Sequence, residues 1–245
     1  MLDLTSGWQR CWTVTWCSPC GSVTRTVEQL RREGLAGAGP VRRFSWRRDQ
    51  RHRPGLKFLI STGRLHGFES LAESDLLLAL DFAGEVLEVL PQPLRLTFGT
   101  VVGQREHTPD FLVRSTGGVW LIDVRPAALL GEPEETAFAA AAELALACGW
   151  GFAVAAGWRG HVRTTLDWLS SRRRPLSDPL GVEAGLMEAA ATPGRTLRQL
   201  AAASTCPPVA RAHLLHLLWQ RRLGVDLMKP LGDQSVIVPG REALP

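Results

Sequence analysis

The stretch HTPDFLVRSTGGVWLIDVRP, residues 107–126, brings two acids and an arginine into a sequence that otherwise predicts apolar β-strands. A two-residue turn at 116–117 sets Asp110 directly opposite Asp123 on the partner strand. Arg125 points to the same face, because side chains alternate along a strand. Two opposed carboxylates repel unless positive charge lies between them. A turn shifted by one residue would instead pair Asp110 with Arg125 in a plain salt bridge.

A third acid lies on a predicted helix. The segment FESLAESDLLLALDF, residues 68–82, has helical period and sets Glu73 on the same stripe as leucines at i+3, i+4 and i+7. A buried carboxylate must be paired, hydrogen-bonded or bound to metal, because its desolvation is otherwise costly. A salt bridge at the end of the stripe is the structural alternative. Glu69 shares this face one turn earlier and is the second choice for a catalytic helix acid.

The composition bounds the class of protein. A chain of 245 residues that is 45% hydrophobic can bury a sizeable core in one large domain or two small ones. No apolar run is long enough for a membrane span and the start lacks the pattern of a secretory signal, so a cytoplasmic location is expected. Five cysteines favour reduced thiols over a disulfide framework. Cys17 and Cys20 could be half of a zinc site or a redox pair, but structural zinc normally needs four ligands.

The net charge of +4 is carried almost entirely by arginine. Codon usage could explain arginine in place of lysine, but it does not explain the clustering between residues 42 and 57. Aromatic residues interleave with the basic ones there, which suits contacts with DNA phosphates. A solvated basic loop without a partner is the alternative. The predicted DNA-binding residues are Arg42, Arg43, Arg47, Arg48, Arg51, Arg53 and Lys57.

The acids follow a recognisable order: an acid on a helix, an acid on a strand, then acid-x-cation on the partner strand. This order resembles that of the restriction-endonuclease-like nucleases, whose Pro-Asp…(Asp/Glu)-x-Lys signature is matched by Pro109-Asp110…Asp123-Val124-Arg125. The motif alone is weak. Its surroundings strengthen it, because the order and spacing of these segments are more specific than any single residue.

Over roughly residues 42–160 the chain resembles TnsA-like transposase endonuclease subunits. In that family a Ser-x-x-Glu helix leads to a Gln-containing strand before the two motif strands, and a helix and a strand follow them. Here the corresponding segments are SLAESDLLLALDFAGEVLEVLPQPLRL, TPDFLV, IDVRPA, EETAFAAAAELALACGW and GFAVAAGW. The resemblance implies an α/β fold with a restriction-endonuclease-like core, a mixed sheet flanked by helices.

The resemblance also assigns roles residue by residue. Glu73 matches the family's helix acid, Asp110 its first strand acid and Asp123 its variable second position. These three acids would hold Mg²⁺ or Mn²⁺. Arg125 stands where the family carries a lysine that positions or activates the attacking water. An arginine cannot act as a base, since its pKa stays above 12, but it can orient water and stabilise charge on phosphorus.

Three domains are expected. The irregular residues 1–40, which end in GLAGAGP, predict an N-terminal appendage, and residues 41–170 form the TnsA-like nuclease domain. Beyond a basic, proline-punctuated linker, residues 171–245 contain two helices and a hairpin, which predict a small winged-helix-like C-terminal domain. The TnsA architecture has a similar domain in this position.

The C-terminal domain has two interpretations. In a winged helix, the second of these helices would put Arg211, His213 and Arg221 on DNA. Leucines and Trp219 occupy much of that helix, however, and leave little polar face to enter a groove. A module that docks onto another protein is the alternative.

The expected function is a metal-dependent DNA endonuclease subunit. It would cut double-stranded DNA on the non-transferred strand, at the 5′ ends of a transposon, beside a DDE transposase and an AAA+ ATPase regulator. A catalytically inactive DNA-binding scaffold and a stand-alone restriction or defence nuclease remain alternatives. The sequence has no GxxxxGK phosphate loop and no recognisable serine or cysteine nucleophile motif. His107 is interpreted as a strand-end polar residue rather than a ligand.

Overall fold

The computed structural model describes residues 1–35, 37–42 and 54–240. The fold is mixed α/β, as predicted, and the chain divides into two compact units, Met1–Gly157 and Trp158–Pro245. Within the described residues no helix is both long and apolar enough to cross a membrane. The five cysteines are free, which agrees with the prediction of reduced thiols.

The first unit alternates strands with a few helices. In chain order its elements are α1 (Trp8–Cys11), β1 (Thr13–Ser18), β2 (Gly21–Thr26), α2 (Val27–Glu33), β3 (Gly55–Leu59), β4 (Arg64–Phe68), α3 (Leu71–Ala83), β5 (Val86–Pro91), β6 (Arg95–Thr100), β7 (Gly103–His107), β8 (Phe111–Ser115), β9 (Gly118–Val124), a 3₁₀ turn (Ala127–Leu129), α4 (Glu132–Cys148) and β10 (Gly151–Ala155).

The central sheet has the order β10-β9-β8-β5. Strands β5, β8 and β9 pair antiparallel, whereas β10 pairs parallel to β9 after the α4 crossover. Apolar side chains fill both faces. Phe111 and Ile122 pack with leucines of α3 on one side, and Leu112 and Leu121 pack with alanines of α4 on the other. The sheet is therefore mixed and covered by a helix on each face.

The helices that flank this sheet begin and end at clear capping residues. Helix α3 starts after Ser70, whose side chain accepts the N–H of Glu73, and ends at Gly84 in the left-handed region. Helix α4 has a proline in its first turn with three glutamates beside it, and ends at Gly149, also left-handed. The start of α3 is thus held by a side-chain cap, whereas Gly131 before α4 makes no side-chain cap hydrogen bond.

Residues 1–40 are not an appendage. Strand β1 pairs with β2 on one side and with β6 on the other, which gives an antiparallel sheet of order β2-β1-β6-β7. Trp12, Val14 and Trp16 are buried in the core shared with α4. The alternation in WTVTW is a strand signal, and a buried tryptophan pair gives this segment enough apolar area to join the core.

The second unit is helical with one short hairpin. Its elements are α5 (Gly160–Ser170), α6 (Val182–Ala190), α7 (Leu197–Ala202), α8 (Pro207–Trp219), β11 (Leu223–Val225) and β12 (Ile237–Pro239). The two predicted helices and the hairpin are confirmed. The predicted boundary at 170/171 is wrong, because α5 packs within this unit, where Leu166 and Leu169 are buried and Trp168 lies under Arg211.

Candidate functional site

The β8–β9 hairpin has the predicted register. Phe111 pairs with Ile122 and Ser115 pairs with Gly118, so the turn consists of residues 116 and 117. One residue beyond the Phe111 pair, the same register sets Asp110 opposite Asp123. The alternative register, with Asp110 opposite Arg125, is excluded.

Asp123 is held by a histidine. Its side chain is 2% exposed at the end of β9, and the Nε2 atom of His107 lies 3.0 Å from both carboxylate oxygens. His107 ends β7, as the strand-end interpretation predicts, but it also forms an edge contact with the ring of Phe138. The contact of His107 with Asp123 was not predicted, because β7 belongs to the other sheet and only tertiary packing brings His107 to the β8–β9 hairpin.

Asp110 is fixed through both its backbone and its side chain. The Val124 N–H donates to Asp110 Oδ2 at 2.7 Å, and the Gln92 N–H donates to the Asp110 carbonyl at 2.7 Å. Burial raises the pKa of Asp110, and the negative charges of Asp123 and Glu73 raise it further; together they bring it to about 8 against the lowering by the Val124 N–H. Asp123 and Glu73 therefore lie near enough to Asp110 for their charges to act on it.

Glu73 lies in the first turn of α3, with its carboxylate turned back over the start of the helix. Ser70 Oγ donates to Oε1 and the Glu69 N–H donates to Oε2, each at 2.8 Å. This arrangement resembles a capping box and gives Glu73 a structural role. Burial nevertheless raises the pKa of Glu73 above its ordinary value, more than these hydrogen bonds lower it.

Glu69, the second choice for the helix acid, is paired with a cation. The Arg42 guanidinium donates to Glu69 Oε2 at 2.6 Å through one terminal nitrogen and to Gln92 Oε1 at 3.0 Å through Nε. The carboxylate of Glu69 also adds to the negative charge felt by Asp110. Four acids thus share this end of the sheet, and we refer to Glu69, Glu73, Asp110 and Asp123 as the acid cluster.

Arg125, predicted to lie among these acids, is engaged elsewhere. Its guanidinium donates to Glu134 Oε1 at 2.7 Å and to the Leu129 carbonyl at 3.2 Å. Glu134 belongs to the acidic first turn of α4, where the helix dipole favours negative charge. Arg125 is thus bound to the segment that leads into α4 and to α4 itself rather than to Asp110 or Asp123.

Most of the predicted DNA-binding segment lies outside the described residues, namely Arg43, Arg47, Arg48, Arg51 and Arg53. Arg42 forms an ion pair with Glu69 of the acid cluster. The ammonium of Lys57 donates to the carbonyl and hydroxyl oxygens of Ser74 at 2.8 and 3.0 Å, which ties β3 to α3. Lys57 thus has a structural role in addition to the predicted contact with DNA.

A divalent ion fits the donor chemistry of the acid cluster. Carboxylate oxygens are the ligands that Mg²⁺ and Mn²⁺ prefer, and a bound cation would offset the burial and like charge that raise the pKa of Asp110. The described His, Cys, Asp and Glu side chains include no group of three or more already arranged around a metal position. Their carboxylates are instead occupied by His107, Val124 and the cap of α3.

Of the three residues of the second unit predicted to contact DNA, His213 is buried, Arg211 is half-buried and Arg221 is exposed. His213 is 3% exposed, and its Nδ1 lies 3.1 Å from Glu183 Oε1. Arg211 is paired with Asp233 at 2.6 Å. Residues 213–219 of α8 are all buried, so this stretch of the helix presents no side chain to a DNA groove, and the expectation that His213 contacts DNA is wrong.

A scan of the chain against known protein families finds no match, and a search of curated proteins finds no significant relative.

Proposed function

We propose that the protein is a metal-dependent DNA endonuclease subunit of the restriction-endonuclease-like type, similar to TnsA. The observation that carries this proposal is the acid cluster at one end of a mixed sheet with a helix on each face. Buried or half-buried carboxylates that repel each other oppose folding when they are ionised, and a bound cation would offset that repulsion. The order of helix acid, strand acid and partner-strand acid is that of the nuclease signature.

Hydrolysis of a phosphodiester requires a water oxygen to bond to phosphorus while one ester P–O bond breaks. The water loses its proton to a base, and the leaving alkoxide takes one up. A bound Mg²⁺ or Mn²⁺ would supply an activated nucleophile and stabilise the charge on phosphate and on the leaving oxygen. Asp110, Asp123 and Glu73 would hold it, and His107 and the Val124 N–H keep the two strand acids in place.

The proposed substrate is double-stranded DNA, and the proposed setting is transposition. Cleavage of the non-transferred strand at the 5′ ends of a transposon would require a DDE transposase for the other strand and an AAA+ ATPase regulator. The second unit, whose α8 is buried, is proposed to dock onto one of these proteins rather than to read DNA. A cytoplasmic protein would meet all three partners.

A second function is favoured by a specific set of contacts. Arg125 is bound to Glu134, and both carboxylate oxygens of Glu73 cap its own helix. A non-catalytic subunit that retains the nuclease fold as a DNA-binding scaffold would keep such structural contacts and need no metal. A stand-alone restriction or defence nuclease would use the same acid cluster in a different genetic setting.

The test is strand cleavage of transposon-end DNA by the assembled complex with Mg²⁺ or Mn²⁺. Asp123→Ala is expected to lower single-turnover cleavage by at least about 10³-fold, because the chemistry depends on the bound ion, and to leave DNA binding within about twofold. Glu106→Ala, which removes an exposed acid of β7, is the matched control and should cleave like the wild type. A wild-type complex that binds DNA and partners normally but cuts no DNA with either ion would establish the scaffold function instead.

A further inference from the structure

The acid cluster has a cation that the nuclease signature does not supply. Arg125, at the position of the signature lysine, is bound to Glu134 and the Leu129 carbonyl. Arg42, far earlier in the chain, forms a 2.6 Å ion pair with Glu69. Its positive charge also acts on Glu73, whose pKa it lowers against the larger effect of burial.

Arg42 is held by a residue with unusual geometry. Gln92 is 2% exposed and adopts a φ of 45°, a left-handed conformation that residues other than glycine seldom take. Its main-chain N–H donates to the Asp110 carbonyl at 2.7 Å, and its own carbonyl accepts the Val41 N–H at 2.9 Å. Its side-chain Oε1 accepts from Arg42 Nε at 3.0 Å. One strained residue thus joins the first strand acid to the segment that carries Arg42.

The side-chain amide of Gln92 contributes a second observation. Its Nε2 atom is buried and has no hydrogen-bond partner among the described residues. An unsatisfied buried donor costs about 1–3 kcal/mol, so a native protein retains one where another contribution outweighs the cost. The strain and the unpaired donor fall on the same residue, next to the acid cluster, and this coincidence suggests that Gln92 has a role in the site.

We propose that Arg42, positioned by Gln92 and Glu69, is the cation of the active site and contacts the scissile phosphate of DNA. This inference rests on the proposed nuclease function. A guanidinium carries five N–H donors, and Gln92 and Glu69 engage two of its three nitrogens. The side chain of Arg42 is 56% exposed, so the remaining donors can reach a phosphate oxygen of a bound strand.

The role that this assignment gives Arg42 is electrostatic. Arginine does not lose its proton near neutral pH, so Arg42 stabilises the charge that builds on the phosphate oxygens and takes no proton from water. Gln92 is a positioning residue, because its Oε1 fixes the Nε side of the guanidinium plane. Glu69 fixes the other side through its ion pair with a terminal nitrogen of the guanidinium.

The experiment compares Arg42→Ala with Arg125→Ala in the assembled complex, measuring single-turnover strand cleavage. Arg42→Ala is expected to slow cleavage about 100-fold, the effect of removing one charge stabiliser, and Arg125→Ala less than about fivefold. Arg42→Lys should recover only part of the loss, since a lysine cannot reach both Gln92 and Glu69 as a fork. Arg114→Ala, at an exposed arginine paired with Glu88, controls for general loss of charge.

The role of Gln92 is tested by a matched pair. Gln92→Leu keeps the size of the side chain but removes the acceptor for Arg42, and it should slow cleavage about tenfold with an unchanged KM for DNA. Gln92→Glu restores an oxygen at that position and should recover most of the rate. Equal losses in both variants would show that Gln92 acts only through the fold, and would overturn its positioning role.

A second measurement does not depend on catalysis. Thermal unfolding of the full chain is followed over a range of Mn²⁺ concentrations. Removing a positive charge from the acid cluster strengthens divalent-ion binding, so Arg42→Ala should need several-fold less Mn²⁺ for half of the stabilisation, whereas Arg125→Ala should match the wild type.

The outcomes separate the two proposals. The assignment of Arg42 alone is overturned if the wild-type complex cuts DNA, Arg125→Ala cuts far more slowly than Arg42→Ala, and Arg125→Ala rather than Arg42→Ala lowers the Mn²⁺ concentration needed for half of the stabilisation. A wild type that neither cuts DNA nor gains stability from Mn²⁺ overturns the proposed nuclease function, and the role of Arg42 falls with it.

Discussion

The molecule contains two clusters of acids with opposite electrostatics. In the second unit, Glu183 accepts from His213 Nδ1 at 3.1 Å and from Arg222 at 2.9 Å. Asp178 accepts the N–H groups of Glu183 and Val182, which hold its pKa below the ordinary value. Each of these acids has a donor or cation for its charge, and the result is a satisfied polar network.

Each acid of the cluster in the first unit also has a donor or cation, but there burial outweighs these partners at Asp110 and Glu73. Asp110 accepts one backbone N–H, yet burial and the charges of Asp123 and Glu73 raise its pKa to about 8. Arg42 is the cation that the structure brings to the cluster, and it pairs with Glu69. Acids whose charges are paired with cations or donors contribute to stability, whereas acids whose pKa is strongly raised are frequent at functional sites. The predictions below test this contrast.

The largest expected effect concerns the helix acid. Glu73→Gln should lower single-turnover cleavage by about 10²- to 10³-fold, because it removes a negative charge that would hold the metal while an amide can still cap α3. Glu69→Gln should cost only about tenfold, through the loss of its pairing with Arg42. Cleavage assays on the two variants decide between the first and second choices for this position; a greater loss in Glu69→Gln would reverse them.

In the second unit, removal of an acid should destabilise the fold. Glu183→Leu leaves His213 and Arg222 without their shared acceptor, and we expect the free energy of unfolding to fall by about 2–4 kcal/mol. Urea denaturation of the full chain measures this. Glu188→Leu, at an exposed site on the same helix, is the matched control, and an equal effect in both would show that the network contributes nothing.

In the first unit, removal of an acid should stabilise the fold. A folded-state pKa raised to about 8 means that ionisation of Asp110 opposes folding, so stability is lost as the pH rises from about 4 through 8. Asp110→Asn does not titrate. Without divalent ions its melting temperature should match the wild type near pH 4 and exceed it by a few degrees above pH 8. A variant less stable than the wild type at pH 8 would contradict the conclusion that ionised Asp110 opposes folding.

The smallest expected effect concerns the basic segment. Neutralising Arg47, Arg48 and Arg51 together should weaken DNA binding similarly for all sequences. It should make the dependence of the binding constant on salt shallower by about one unit for each lost phosphate contact. Fluorescence anisotropy at several salt concentrations measures the slope, and an unchanged slope would identify the segment as a solvated loop.

Local patterns in the sequence were sufficient to predict the β8–β9 hairpin and the helices that flank the central sheet. The turn at 116–117 fixes the pairing of Asp110 with Asp123, and Ser70 with Glu73 marks the start of α3, because both signals act over a few residues. Long-range pairings were not predictable in this way. The contacts of Arg125 with Glu134 and of His107 with Asp123 depend on how helix α4 and the second sheet pack, which no local pattern shows. The same holds for β1, whose partner β6 lies some eighty residues away.

The acid cluster of the first unit is proposed to bind a divalent cation, which would offset the burial and like charge at Asp110. Carbon-13 NMR of aspartate carboxyl groups, with Asp110→Asn to assign the signal, measures the pKa of Asp110 directly. Without divalent ions Asp110 should titrate near 8. Saturating Mg²⁺ should lower that midpoint by at least about two pH units, because the cation favours the ionised carboxylate. An Asp110 that titrates near 4 in the absence of Mg²⁺, or whose midpoint does not move when Mg²⁺ is added, would contradict this account.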